Sequence, residues 1–240
     1  MVRHPRSETI RLDKTSPMNP FERGLARYLS PEQLARIQSV TIGVAGAGGL
    51  GSNCCLMLVR CGFRRFVVVD CDVVDASNLN RQFFFIHQIG KPKVEALREN
   101  LLAINPDLEM EAVQAIVDET NVATLFAGCD VVVEAFDSPE CKRLLVEAYL
   151  GSGKFLVAAS GLAGWGDSDR IATRKVSENF HLVGDLRTVA GPSCPPMAPC
   201  VTLTAAKQAD LVLTHVLGHI PGLAQGNLPG DHPASTGDNA

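Results

Sequence analysis

The stretch VTIGVAGAGGLGSNCCLMLVRCGFRRFVVVD, Val40 to Asp70, decides the fold. Thr41 to Ala45 are a short apolar run with β-branched residues, after which the glycines begin. Gly46, Gly48 and Gly51 satisfy G-x-G-x-x-G, and Gly49 adds a fourth glycine. Asn53 to Arg60 carries apolar residues at helical spacing. A second β run, Phe66 to Val69, ends in Asp70, 19 residues after Gly51. Strand, Gly-rich turn, helix, strand and acid inside one βαβ unit predict an adenosine-nucleotide site. The glycines let the backbone approach a phosphate, and the free N–H groups opening the helix face the anion. Asp70 is placed to accept hydrogen bonds from a ribose hydroxyl. NAD is the default ligand of such a unit.

The next stretch, CDVVDASNLNRQFFFIHQIGKPKVEALRENLLAINP, argues against NAD. It gathers Asp72, Asp75, Ser77, Asn78, Asn80, Arg81 and Gln82 into one polar loop. Gly90-Lys91-Pro92-Lys93 then opens a helix expected over Lys93 to Ile104, with Pro92 at its first position. Arg81, Lys91, Lys93 and an N-terminal arginine are the cations expected to converge on the nucleotide. A dinucleotide pyrophosphate carries only two charges, which a helix N-terminus can hold. A triphosphate carries about four, and displacing pyrophosphate from it needs cationic stabilisation. The expected cofactor is therefore ATP; an NAD-dependent oxidoreductase is the rival that leaves this loop unexplained.

The remaining chain reads as α/β: a Rossmann-like, doubly wound, mostly parallel sheet with an antiparallel extension in the second half. Helices are expected over Phe21–Leu29, from Pro31 to about Gln38, over Asp118–Phe126, from Pro139 to about Leu150, and over Val201–Leu217. Asp107–Ala115 reads as a strand at or near a sheet edge, and Asp130–Phe136 as a buried parallel strand. Lys154–Ala159 is a further strand, and Ile171–Val176 pairs with Asn179–Val183. Asp137 follows the buried strand, where open α/β sheets hold ligands. It is open to two roles, a Mg²⁺ ligand beside phosphate or the N-cap of the helix from Pro139. Ala190–Cys200, with four prolines, cannot be regular structure. That loop and Gly161–Gly166 are expected to wall a channel.

The chain has 240 residues and a net charge of −4, which argues against a nucleic-acid partner. No run of 18 apolar residues occurs, so no membrane span is expected. The opening residues lack an apolar secretory core, so a cytoplasmic location is expected. Residues 1–18 read as a mobile N-terminus, 19–220 as one domain with its nucleotide-binding part at about 40–138, and 221–240 as a disordered tail. None of the eight cysteines forms C-x-x-C, so no zinc is expected. His215 and His219, near a helix end, read as cations favoured by the helix dipole, and His87 and His181 as structural. Glu134 is a carboxylate inside an apolar strand and needs a partner.

Taken together, GAGGLGSN, VVVDCDVVDASNLNRQ, GKPKVEAL and EAFDS resemble the ThiF/MoeB/HesA family, relatives of the ubiquitin-activating enzymes, in order and spacing from about Phe21 to Leu217. FERGLARYLS and GLAGWG are most similar to the compact ThiF-like proteins of thiamin synthesis. The resemblance implies ATP- and Mg²⁺-dependent adenylation of a small ubiquitin-like sulfur carrier at its C-terminal Gly-Gly, by a homodimer. It implies that Gly46, Gly48, Gly49, Gly51, Asp70 and Asp72 line the nucleotide site. Asn78, Arg81 and Lys93 match the family's phosphate contacts, and Asp137 its Mg²⁺ aspartate. Arg23, or else Arg27, matches an arginine that reaches into the other subunit's site. Cys194, in the Pro-rich loop, is a candidate nucleophile. Within the superfamily, adenylation of a tRNA-borne carboxylate, as in a cyclic-threonylcarbamoyl dehydratase, and a non-catalytic partner subunit are the alternatives.

Overall fold

The computed structural model describes residues 18–220. The expectations for 1–17 and 221–240 lie outside the described residues. Two short helices lead in. Helix α1 (Pro20–Leu25) is capped by Asn19, whose side chain accepts from the Glu22 N–H, and α2 (Pro31–Ser39) by a reciprocal Ser30–Gln33 capping box. Helix α1 stops four residues short of the expected Leu29. Pro31 drives Ser30 out of the helical region, and residues 26–28 turn to meet it.

The sheet has seven strands in the order β3-β2-β1-β4-β5-β7-β6. They are β1 (Thr41–Ala45), β2 (Arg65–Val69), β3 (Glu109–Val113), β4 (Val131–Glu134), β5 (Phe155–Ala159), β6 (Ala172–Ser177) and β7 (Phe180–Gly184). All neighbours run parallel except β6, which pairs antiparallel with β7 as expected for the second half. Strand β3 is an edge, as expected for Asp107–Ala115.

Consecutive residues of the central strands feed two cores. Val131 and Val133 of β4, with Phe155 and Val157 of β5, pack beneath α2, α3 (Gly49–Arg60), α4 (Lys93–Leu102) and α7 (Ala198–Leu217). Val132, Leu156 and Ala158 face the other way, onto α5 (Val122–Leu125) and α6 (Pro139–Tyr149). This two-sided burial explains why these strands read as continuous apolar runs. Helix α5 is shorter than the expected Asp118–Phe126. Asp118 instead accepts from the Thr120 N–H and hydroxyl, and Asn121 from the Asp118 N–H, so local side-chain bonds hold a turn there. Helix α7 starts at Ala198, earlier than expected, because Pro199 sits where a helix tolerates it.

His215 corrects its expected role. It stacks on Phe155 with ring centroids 4.0 Å apart, and burial lowers its imidazole, which disfavours the expected cation.

Candidate nucleotide site

A cavity of about 580 Å³ opens beyond the C-terminal ends of β1, β2, β4 and β5. The turn from β1 into α3 forms its floor. Gly46 has φ +108°, and a Cβ there would come within 2.7 Å of the Ala135 carbonyl oxygen. A Cβ on Gly51 would strike the Gly46 carbonyl, so α3 lies against the turn only with glycine at that position. No side chain caps α3, which leaves its first N–H groups for a ligand at Gly48 and Gly49. Asp70 lies at the end of β2. Its two oxygens accept from the N–H groups of Ala47 (2.6 Å) and Asp72 (2.8 Å). Burial raises its carboxyl, and these N–H groups and Lys93 oppose the rise.

The cations come from two further elements. Lys93 is the first residue of α4, and its ammonium lies 2.6 Å from an Asp72 carboxylate oxygen. Pro92 is the cap of that helix rather than its first residue. Arg81 lies on the loop after β2. Its guanidinium donates to the Ser77 carbonyl (3.0 Å) and the Asn80 side chain (2.7 Å). Asn53, on α3, donates to the carbonyls of Gly49 (2.7 Å) and Arg81 (2.8 Å), and so ties the loop to the glycine turn.

Asp137 lies opposite. Ser138 caps α6, accepting from the Cys141 N–H, so the capping role does not fall to Asp137. Asp137 is left exposed on the cavity wall. One free carboxylate facing a cradle for phosphates is a donor set that suits Mg²⁺, which takes few protein ligands and completes its shell with phosphate and water.

The cavity thus brings together Gly46, Gly48, Gly49, Asp70, Asp72, Arg81, Lys93 and Asp137. Other expected residues lie elsewhere. Gly51 is buried behind the turn, and the Asn78 side chain accepts from the Asp75 N–H within its own loop. Lys91 turns away to pair with Glu99, so it does not join the convergence of cations. Arg23, on α1, donates to the Met18 carbonyl; it and Arg27 are exposed and do not line this cavity. Cys194 is half-buried in a tight turn with Gly191, beside Gly164 and outside the cavity.

Sequence reasoning missed three residues here. Lys142 of α6 lines the cavity and is the partner Glu134 required, donating to both carboxylate oxygens (2.9 and 3.0 Å) and to the Ala159 carbonyl. The signal was the acid in the strand, but a partner eight residues on follows no motif spacing. Gln82 also lines the cavity and is nine-tenths buried. Thr188 is a wall residue placed by Asp185, which accepts from the N–H groups of Arg187 and Thr188 and pairs with Arg170. Gly161, Ala163, Ala190 and Pro196 are wall residues as expected, whereas Trp165 is 68% exposed outside the cavity.

Comparison with known proteins follows this geometry. The chain is 38% identical over 138 residues to the SAMP-activating enzyme E1 of Haloferax volcanii, covering 57% of this chain and 51% of that protein. It is 30% identical over 198 residues to the adenylyltransferase and sulfurtransferase UBA4 of Candida glabrata, covering 76% of this chain and 44% of that protein. The matches therefore span about half or less of these relatives' lengths. Among solved structures, the Escherichia coli tRNA N6-threonylcarbamoyladenosine dehydratase TcdA in complex with AMP has the same fold. Its TM-score is 0.73 at 22% identity, covering 80% of this chain and 92% of that one. The model of the ThiF family matches residues 21–236, nearly the whole chain, and the protein belongs to that family.

Proposed function

We propose that this chain is an ATP-dependent adenylyltransferase that activates the C-terminal glycine carboxylate of a small ubiquitin-like sulfur carrier. The observation that carries this is the meeting of Arg81, Lys93 and an uncapped, exposed Asp137 around the open N-terminus of α3. Two cations and a free carboxylate suit a magnesium triphosphate. The matches to the SAMP-activating and UBA4 proteins support a carrier of the ubiquitin-like kind, and a solved complex of TcdA with ATP supports the nucleotide.

The reaction asks little acid–base work of the protein. A C-terminal carboxylate is already ionised at neutral pH; its oxygen bonds to the α-phosphorus as the bond to pyrophosphate breaks. The chain must hold the two in line and neutralise the charge that leaves. Gly48 and Gly49 cradle the phosphates with backbone N–H groups, Gly46 (whose own N–H is held by the Val69 carbonyl) shapes the turn, and Asp70 accepts from the ribose. Arg81 and Lys93 face the leaving pyrophosphate. Asp137 would hold Mg²⁺, which supplies further charge neutralisation when bound. The cavity wall at Gly161, Ala163, Ala190 and Pro196 carries small side chains, and a Gly-Gly tail would enter along it. In a homodimer, Arg23 of one protomer would complete the site of its partner, and the pathway served would be thiamin-thiazole or a related sulfur transfer.

Exchange of labelled pyrophosphate into ATP tests this. Exchange should require a carrier ending in Gly-Gly and stop when its last glycine is removed. Exchange driven instead by threonylcarbamoylated tRNA would establish a second reading, which keeps the first step and changes the carboxylate. The match to nearly the full length of TcdA favours considering it. Exchange with neither, in a protein that binds Mg-ATP, would point to a non-catalytic partner subunit.

A further inference from the structure

We propose that Gln82 is a further nucleotide-contacting residue, whose side-chain amide donates a hydrogen bond to a phosphate oxygen held at the N-terminus of α3. This rests on the ATP reading above and adds a contact to it.

Gln82 is 9% exposed and lies on the cavity wall. Its Nε2 points at the glycine turn, 3.7 Å from where a Cβ on Gly48 would stand. Among the described residues its Oε1 is buried with no hydrogen-bond partner. That oxygen accepts and would not bind an anion; it is the Nε2, which has no protein partner among the described residues either, that presents an unused donor to an uncapped helix N-terminus, where a phosphate oxygen would satisfy it. The second observation is how firmly Gln82 is held. On one side Asn53 of α3 donates to the Arg81 carbonyl (2.8 Å). On the other the Phe83 N–H donates to the Ser52 hydroxyl of α3 (3.0 Å). The Gln82 backbone N–H donates to the Asn78 carbonyl (3.0 Å). With α3 bonded to both flanking residues, the backbone that carries the amide is held beside Gly48 before any ligand arrives, and less ordering is needed on binding. An anion at Gly48 would then meet helix N–H groups on one side and the carboxamide N–H on the other.

The alternative is that Gln82 only packs the loop against α3. Titration calorimetry of wild type, Gln82→Met and Gln82→Glu with Mg-ATP and with adenosine separates the two. Met keeps the length and shape of the side chain, and Glu replaces the donor with a charge that repels phosphate. Mg-ATP affinity should fall about tenfold in Gln82→Met, as expected for loss of a hydrogen bond to a charged group, and further in Gln82→Glu. Adenosine, which has no phosphate, should bind all three alike. Mg-ATP affinity in Gln82→Met within twofold of wild type would overturn the inference and leave the ATP reading standing. Equal losses for Mg-ATP and adenosine would also overturn it, in favour of a packing role. A wild type that takes adenosine but not Mg-ATP would overturn the ATP reading and this contact with it.

Discussion

Lys93 reaches the cavity from the first turn of α4 with its ammonium against Asp72, while its stem is buried. In the proposed reaction this charge faces the departing pyrophosphate, and Asp137 faces the same charge through Mg²⁺. Lys93→Ala and Asp137→Ala should each lower the adenylation rate on the order of 10²-fold or more, the usual effect of deleting one electrostatic element. Near-wild-type pyrophosphate exchange in either variant would remove that role. Gly51 is demanding in another way. A Cβ there strikes the Gly46 carbonyl, so Gly51→Ala must push α3 off the turn and should cost about 1–3 kcal/mol in urea unfolding. The placement of Gly46, Asp70, Arg81 and Lys93 on one cavity was legible because each sits at a spacing that one βαβ unit and its following loop dictate. Asp137 was legible only as a choice between cap and site, since both call for a short polar residue before Pro139. Gln82 was not legible as more than loop polarity, because its value lies in having no partner, and partners are known only in three dimensions.

Among the elements, β4 and α6 are joined by the Glu134–Lys142 pair. Glu134 is 1% exposed, and burial raises its carboxyl above the ordinary value despite the ammonium beside it. Lys142→Met would leave that carboxylate buried without its counter-charge, a loss of about 3 kcal/mol. A group whose folded pKa is raised contributes its stability below the unfolded value and loses it as pH rises. The deficit of Lys142→Met against wild type should therefore be small near pH 4 and grow toward pH 7, measured by urea unfolding; a constant deficit would contradict it. At the other end of the sheet, α7 and β5 meet through His215 on Phe155, and His181 lies 5.2 Å from the same ring. Burial lowers both imidazoles. Groups with depressed pKa values stabilise above the unfolded value, about 6.5, and that contribution is lost as pH falls through the folded value. His215→Phe keeps the stack and takes no proton, so it should lose less stability than wild type between pH 7 and 5. An equal loss would sink this assignment. The strands were legible because apolar β-branched runs buried on both faces leave few alternatives. Helices α1 and α5 were overextended because Asp118, Asn121 and Ser30 bond local backbone, which a count of apolar spacing does not register.

For the whole molecule, the crossing of the chain from one side of the sheet to the other places the glycine turn, the polar loop, α4 and the approach to α6 at one end of the strands. That topology gathers residues 46 to 142 around a single cavity. The segment that follows β5, residues 188–190 after β7 and the Pro-rich segment then close its far wall. Doubly wound order was legible from the alternation of strand and helix. The position of α7 over α3 was not, because it depends on which face the last crossover takes. Among the described residues no helix is long and apolar enough to cross a membrane. The central claim is that this cavity takes a magnesium triphosphate and not a dinucleotide. The most direct test is thermal unfolding of wild type and Lys93→Ala with Mg-ATP or NAD, which needs no partner protein. Mg-ATP should raise the midpoint of wild type, NAD should not, and the Mg-ATP shift should be lost in Lys93→Ala. Stabilisation by NAD alone would contradict the claim and return the glycine turn to its default reading as a dinucleotide site.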